Sequence, residues 1–512
     1  MRAGRIVAYP FLAAIYPVVA LASANAGELV RLRDLVRPLA ISVVAALAAW
    51  LLSRMVTQDR HGRAFLAFIA AIVFSTAGYA AAFLNRWVPL GLALLLVAAP
   101  PVAVAAILAK RGRISFHPLT RYLNVVLAIL LLWCVASFAW RLRPGKSVAR
   151  LEDFQSMSAA DTSHGPKPHF FLIILDQYTG ARSLNTNYGF DNTPFERVLE
   201  SYGFVVPRAA RANYVHTFLA LGAMLNWEYL DDVADRLGRG NRDWAAAYPL
   251  VEDNRTWRLL HRLGYRFVFL PTALPATDHN RYADLQLPDP SQLTREFESV
   301  WLRGTILLPM LESVCPAVGC LSSSIPYVPE SAQSIDWKFA TIPSLAESDK
   351  PLFVLAHLTV PHEPYLYDAD CSHRKPYWPM EAKKSEEAAV TGAYVAQVQC
   401  VNLKVEELVK GILGRSTRPA IIVLQADHGY GRPGVGRTPL SRLDPKRVEE
   451  RTDIFAAYRL PGAPPGLIYD SIGPVNAMRA VMRFYYGVDL PPLPEASYWS
   501  SDDHPYQFTR VP

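Results

Sequence analysis

Three short polar clusters interrupt apolar runs in the second half of the chain. Asp176 follows HFFLIIL at 169–175, and Asp427-His428-Gly429 follows AIIVLQ at 420–425. Between them, His357 lies in a run at 352–358 that leads on to Pro361-His362-Glu363-Pro364-Tyr365. Carboxylates and imidazoles without thiolates form the donor set of a divalent cation such as Zn²⁺ or Mn²⁺. Any one of these residues alone is ordinary, because an Asp after a strand commonly serves a turn or an N-cap. Three such clusters at three strand ends read as a metal site.

The elements that must position them alternate in type. Runs at 169–175, 266–270, 352–358 and 420–425 read as buried strands. Stretches 192–202, 218–226, 254–263 and 388–412 carry helical patterns. That alternation predicts an α/β domain with a largely parallel sheet, in which ligands bind beyond the carboxyl ends of the strands.

The first third is of another kind. Uncharged stretches occur at 6–26, 38–53, 64–84, 87–109 and 122–140. All but 38–53 reach the length that crosses a hydrocarbon core of about 30 Å, and 38–53 is the weakest of the five. Helices are the open structures that hide this much backbone from lipid, which predicts about five transmembrane helices. The first run also reads as a signal peptide, with Arg2 and Arg5 ahead of it and small residues at 22–26. Either reading leaves the C-terminal domain outside the cytoplasm. Arg54, Arg60, Arg63, Lys110, Arg111, Arg113 and Arg121 fall in loops assigned to the cytoplasm, whereas Arg31, Arg33 and Arg37 fall in an outer one.

The net charge of +7 conceals two opposite balances. Residues 1–150 are strongly basic and the remainder is acidic, so the basicity flanks membrane runs. Nucleic acid is therefore excluded as an expected partner. Cys134 lies in the fifth run, and four cysteines lie in the soluble part. In an oxidising compartment these are expected to pair as Cys315–Cys320 and Cys371–Cys400. Without a C-x-x-C pair, structural zinc is not expected.

Strand–Asp, then Asn-Tyr-x-x-Thr about 40 residues on, then H-x-P, then strand–Asp-His-Gly resembles the alkaline phosphatase/sulfatase superfamily. The likeness covers residues 168–460 and is strongest to its membrane-anchored branch, the lipoteichoic acid synthases and lipid A phosphoethanolamine transferases. It implies an alkaline-phosphatase-like α/β/α sandwich behind the membrane bundle. It also implies one divalent metal ion, Zn²⁺ before Mn²⁺, held by Asp176, Thr217, Asp427 and His428. Thr217, in NYVHTFLAL, would be the nucleophile. Its hydroxyl is too weak at neutral pH unless a cation stabilises the alkoxide. At the N-cap of a helix over 218–226 it would also meet the anion with backbone N–H groups and a positive dipole. As a rival reading, Thr217 is a plain N-cap.

By the same likeness, His362 contacts substrate or protonates the leaving group, and His357 does so too or hydrogen-bonds in the core. Asn213, Arg211 and Arg208 precede Thr217 and could hold phosphate oxygens, as could Arg432. The chain also departs from the pattern. A sulfatase C-x-P-x-R is missing around Thr217, which disfavours sulfate-ester hydrolysis. The transferases' additional His after Asp-His is also missing, with Arg432, Arg437 and Arg442 in that stretch. The first ligand is Asp where that branch commonly has Glu.

The expected organisation is a transmembrane domain at 1–145, a linker at 146–167 and a sulfatase-like catalytic domain at 168–512. The expected activity is transfer of a phospho-group of phosphoethanolamine or phosphoglycerol type at the outer face of a bacterial inner membrane. A phospholipid headgroup would be the donor, and a cell-envelope glycan or lipid the acceptor. The alternatives are a periplasmic phospho- or sulfate-ester hydrolase of the same fold, and a catalytically silent membrane scaffold.

Overall fold

The computed structural model describes residues 6–25, 32–85, 87–111, 115–141, 167–288, 296–311, 330–377, 379, 387–432 and 434–511. Residues 146–166 of the expected linker and the Cys315–Cys320 pair lie outside them. The chain divides into two compact units, 1–144 with 293–329 and 145–292 with 330–512. Residues 296–311, inside the stretch expected to be one catalytic domain, thus belong with the first unit.

Among the described residues, the N-terminal segment of the first unit holds five long helices: α1 (Tyr9–Ala24), α2 (Leu32–Leu52), α3 (Arg60–Leu84), α4 (Leu90–Arg111) and α5 (His117–Arg141). Four of them, α2 to α5, are long and apolar enough to cross a membrane. The strong and weak runs of the sequence change places. The run at 38–53 extends N-terminally through Pro38 into a 21-residue helix. The run at 6–26 yields only the 16 residues of α1. Pro38 is the seventh residue of α2, past the first turn, so the helix forgoes one backbone hydrogen bond there.

Helix α1 is nevertheless the packing centre of this unit. Tyr9, Ala13 and Ala14 join Ala46, Ala64, Ala71 and Leu127 in one apolar cluster. Its orphan N-terminal donors are met by Asn124 of α5, whose Oδ1 accepts from Ala8 N and Tyr9 N at 3.1 and 2.7 Å. The outward surface stays apolar, with Leu132 68% and Trp133 72% exposed. An exposed face of that kind is stable against lipid and unstable against water. One end of the bundle is basic, where Arg63 covers the Trp50 ring at 4.2 Å.

The second unit is built on a six-stranded sheet in the order β3-β2-β4-β1-β7-β8. Its strands are β1 (His169–Leu175), β2 (Arg266–Leu270), β3 (Leu285–Gln286), β4 (Leu352–Leu358), β7 (Ala420–Ala426) and β8 (Ala456–Arg459). Two hairpins lie apart from it, β5 (Tyr365–Tyr367) with β6 (His373–Tyr377) and β9 (Tyr498–Ser501) with β10 (His504–Arg510). All pairings in the main sheet are parallel except β7 with β8. Every residue of β1, β4 and β7 is buried, which matches their unbroken apolar runs. The helical expectations appear as Thr193–Ser201, Thr217–Asn226, Arg255–Arg262 and Glu387–Arg415. Cys371 and Cys400 form a disulfide between the β5–β6 turn and the long helix.

Candidate metal centre and nucleophile

Strand register brings the first polar clusters together. β1 lies between β4 and β7, with Ile174 level with both His357 and Gln425, and Leu175 level with Ala426. Side chains alternate faces along a strand, so Asp176, two residues past Ile174, shares a face with His357. Asp427, two past Gln425, shares it too. One ligand atom from each of Asp176, His357 and Asp427 lies within 4.8 Å of the other two.

Their protonation and hydrogen bonding fit a cation. Both carboxylate oxygens of Asp176, Oδ2 of Asp427 and Nε2 of His357 are buried without a hydrogen-bond partner. Buried polar atoms of this kind are costly unless something binds them. The other His357 nitrogen, Nδ1, is 3.0 Å from Thr277 Oγ1. With the Nδ1 proton donated to that hydroxyl, Nε2 presents its lone pair toward the carboxylates, the support usual for a ligating histidine. Oδ1 of Asp427 accepts from Gln177 N and His428 N at 3.1 and 2.8 Å. Gln177 supplies the first of these from a left-handed backbone, φ 61°.

The two carboxylates respond in opposite directions. Burial opposes ionisation of Asp176, but its histidine neighbours, the charge of His362 foremost, outweigh it and hold its carboxyl below the usual range. Burial, then the charge of Asp176, pushes Asp427 up. Two buried carboxylates so close favour a shared proton or a bound cation.

His428 connects this group to the threonine. Its Nε2 is 3.3 Å from Asp427 Oδ2 and 3.2 Å from Thr217 Oγ1. Nδ1 stands 3.1 Å from the Gly429 carbonyl, which places the imidazole proton there and leaves Nε2 as the acceptor. Burial, and after it the Arg451 charge, keeps His428 neutral. Gly429 is required by space, since a Cβ would fall 2.2 Å from the Glu450 carbonyl oxygen and 2.6 Å from that of Asp453.

Thr217 is the first residue of its helix, and His216 is the N-cap, with no side-chain capping bond. The sequence places Thr217 one position earlier, and the shift matters. The hydroxyl is free of capping duty and turns to His428, while the helix terminus still faces the same space. His216 is occupied elsewhere, at 3.1 Å from the Ser500 carbonyl. That carbonyl can only accept, so His216 Nε2 donates.

His362 joins the centre from the loop after β4. Its backbone N–H donates to the Asp176 carbonyl at 3.0 Å. Burial works against its protonation, but Glu363 and Asp176 together raise its pKa above the ordinary value. The remaining candidates are engaged elsewhere. Asn213 is buried, donating to Ala496 O at 2.8 Å and accepting from Val475 N at 2.9 Å. Arg211 donates to Thr452 Oγ1 at 3.2 Å, and Arg208 pairs with Glu200 at 3.2 Å. Arg432 is held by Glu387 and by Glu450.

The arginine that reaches the centre is Arg451, which sequence reasoning missed. Its Nη2 is 2.8 Å from Val215 O and 3.2 Å from His428 Nε2, and its Nη1 is 3.2 Å from Gly429 O. It ties the segment before Thr217 to the segment after His428. Nothing local in Glu449-Glu450-Arg451-Thr452 marks it, because its role depends on where the helix Pro445–Thr452 ends.

The sequence matches no protein-family model and no curated protein. Solved structures do resemble the chain. The C-terminal periplasmic domain of EptC from Escherichia coli aligns at 12% identity and a TM-score of 0.43, over 67% of this chain and 92% of that one. A protein of the alkaline phosphatase superfamily from Vibrio parahaemolyticus aligns at 14% identity and 0.37, over 68% and 76%. The integral membrane lipooligosaccharide phosphoethanolamine transferase A from Neisseria meningitidis aligns at 13% identity and 0.41, over 93% of this chain and 95% of that one. The chain is thus similar, at low identity, to phosphoethanolamine transferases and to alkaline-phosphatase-superfamily proteins.

Proposed function

We propose that the chain is a membrane-anchored, metal-dependent transferase of a phospho-group of phosphoethanolamine or phosphoglycerol type. The observation that carries this reading is the Thr217 hydroxyl, 3.2 Å from His428 Nε2, beside buried carboxylate oxygens that lack partners. Asp176, His357 and Asp427 would hold one divalent cation, Zn²⁺ in preference to Mn²⁺, with His428 Nε2 turned to the Thr217 hydroxyl beside it. When bound, the cation lowers the pKa of a nearby hydroxyl and polarises a phosphoryl oxygen. Thr217 Oγ1 then attacks phosphorus, and the bond from phosphorus to the lipid alkoxide breaks. His362, raised in pKa, gives that alkoxide a proton, matching the one Thr217 loses. An acceptor hydroxyl repeats the displacement and restores Thr217.

The apolar helices and the Cys371–Cys400 disulfide support a bacterial inner-membrane location with the second unit in an oxidising exterior space. There the donor would be a phospholipid headgroup and the acceptor a cell-envelope glycan or lipid. The test is incubation of metal-loaded protein with headgroup-labelled phospholipid, followed by peptide mass analysis. A labelled phospho-group on Thr217 that moves to an added glycolipid is the expected result. Free labelled headgroup with no acceptor product would make the protein a hydrolase, and an unlabelled Thr217 under turnover would remove the covalent route.

A further inference from the structure

The segment 296–311 reads as soluble in sequence yet packs on the helical bundle. It contains the helix Glu296–Gly304 and a further helical turn at 307–311. Trp301 is 5% exposed and clusters with Val18 and Ala22 of α1, Leu35 of α2 and Phe138 of α5. Those residues come from the C-terminal ends of α1 and α5 and the N-terminal end of α2. With short connections between antiparallel neighbours, these ends share one side of the bundle, opposite the basic end.

The depth of docking follows from α3. The backbone N–H of Ile306 donates to the Phe74 carbonyl at 2.8 Å. Phe74 lies ten residues before the end of α3 at Leu84, about 15 Å along a helix axis. Gly78 makes this approach possible, since a Cβ there would fall 2.1 Å from Arg303 O and 2.3 Å from Thr305 O. On the same side α3 exposes Tyr79, a residue type that gathers at a membrane–water boundary. At the rim Glu298 pairs with Arg37 at 3.7 Å. Past the contact, Met310 is 48% and Leu311 38% exposed, continuing the apolar exterior of the helices.

We propose that residues 296–311 form a re-entrant element inserted in the outer leaflet, with bilayer lipid as the partner of Met310 and Leu311. The inference rests on the membrane reading above and adds a second membrane contact, supplied from within the polar half of the sequence. Its consequence is connectivity. The chain passes between its two units at 144/145, 292/293 and 329/330, so the catalytic unit has three covalent connections to the membrane unit.

The test places a photoreactive benzophenone amino acid at Leu311 in the full chain, reconstituted in phospholipid vesicles. Leu132 on α5 serves as a lipid-facing reference and Lys410 as an aqueous one. Lipid adducts at Leu311 and Leu132 but not Lys410 are expected. Gly78→Ala should strongly reduce the Leu311 adduct by pushing the segment away, while Gly91→Ala, where a Cβ meets nothing within 4 Å, should leave it unchanged. An adduct at Leu132 without one at Leu311, or a protein adduct at Leu311, would overturn the insertion alone. Loss of the Leu132 adduct as well would overturn the membrane reading with it.

Discussion

The hydroxyl oxygen of Thr217 stands 3.2 Å from Nε2 of His428, two residues separated by 211 positions of chain. The contact joins the start of a helix to the turn after β7, and Arg451 braces both sides of it. Because His216 and not Thr217 occupies the N-cap, the threonine has no structural duty that would compete with chemistry.

Thr217→Ala should therefore separate rate from stability. A capping threonine would cost about 1 kcal/mol on truncation. Here the melting temperature should stay within a degree or two, metal should remain stoichiometric, and turnover should fall by roughly a thousandfold or more. Thr217→Ser keeps the hydroxyl and should retain measurable turnover. Near-normal turnover in the alanine variant would exclude the covalent route.

Metal should stabilise the fold by mass action. At a free Zn²⁺ concentration of a hundred dissociation constants the gain is about 2.7 kcal/mol, enough to raise Tm by several degrees. Asp427→Asn removes one ligand and one of two adjacent buried charges. Its metal-free form should melt at or above the metal-free parent, yet show no rise with Zn²⁺. A variant that still rises with metal would remove Asp427 from the ligand set.

Much of this was legible in the residues, for reasons that also mark where legibility ends. Strands β1, β4 and β7 are buried on both faces, so their apolar runs announced themselves, and Asp176 and Asp427 stood at their ends. The place of His357 in the donor triad needed the pairing of Ile174 with His357, a relation between strands 183 positions apart. Asn213, Arg211 and Arg432 were attractive by type and proximity, but neighbours distant in sequence had claims on each: Ala496, Thr452 and Glu387. Residues 296–311 hid their membrane-side packing because their apolar face is short and interrupted by charges. The reversal between α1 and α2 came from Arg37 and Asp34, which break an uncharged run without breaking a helix.

The Cys371–Cys400 disulfide closes a loop with a separation of 29 residues. Loop-closure entropy for that length corresponds to about 3.5 kcal/mol. Replacing both cysteines by alanine should lower stability by roughly that much in denaturant unfolding. The chemistry lies elsewhere, so turnover per folded molecule should be unchanged well below the melting transition. An equal loss in stability from dithiothreitol on the parent, and none on the double variant, would show that the bond itself is responsible.

His169 opens β1 at the end of the sheet opposite the metal centre. It is wholly buried, and its Nδ1 accepts from Leu352 N at 3.2 Å. Burial, and after it the charge of Arg418, lowers its pKa to about 4. The unfolded chain, with a histidine near 6.5, then binds more protons than the folded one between those values. The stability from keeping His169 neutral is complete above about pH 6.5 and is lost as pH falls toward 4. Tm of the parent should decline across that window. His169→Asn keeps an acceptor for Leu352 without a titrating ring, so its Tm should start lower but vary less with acidification. An equally steep decline in the asparagine variant would assign the acid sensitivity to other groups.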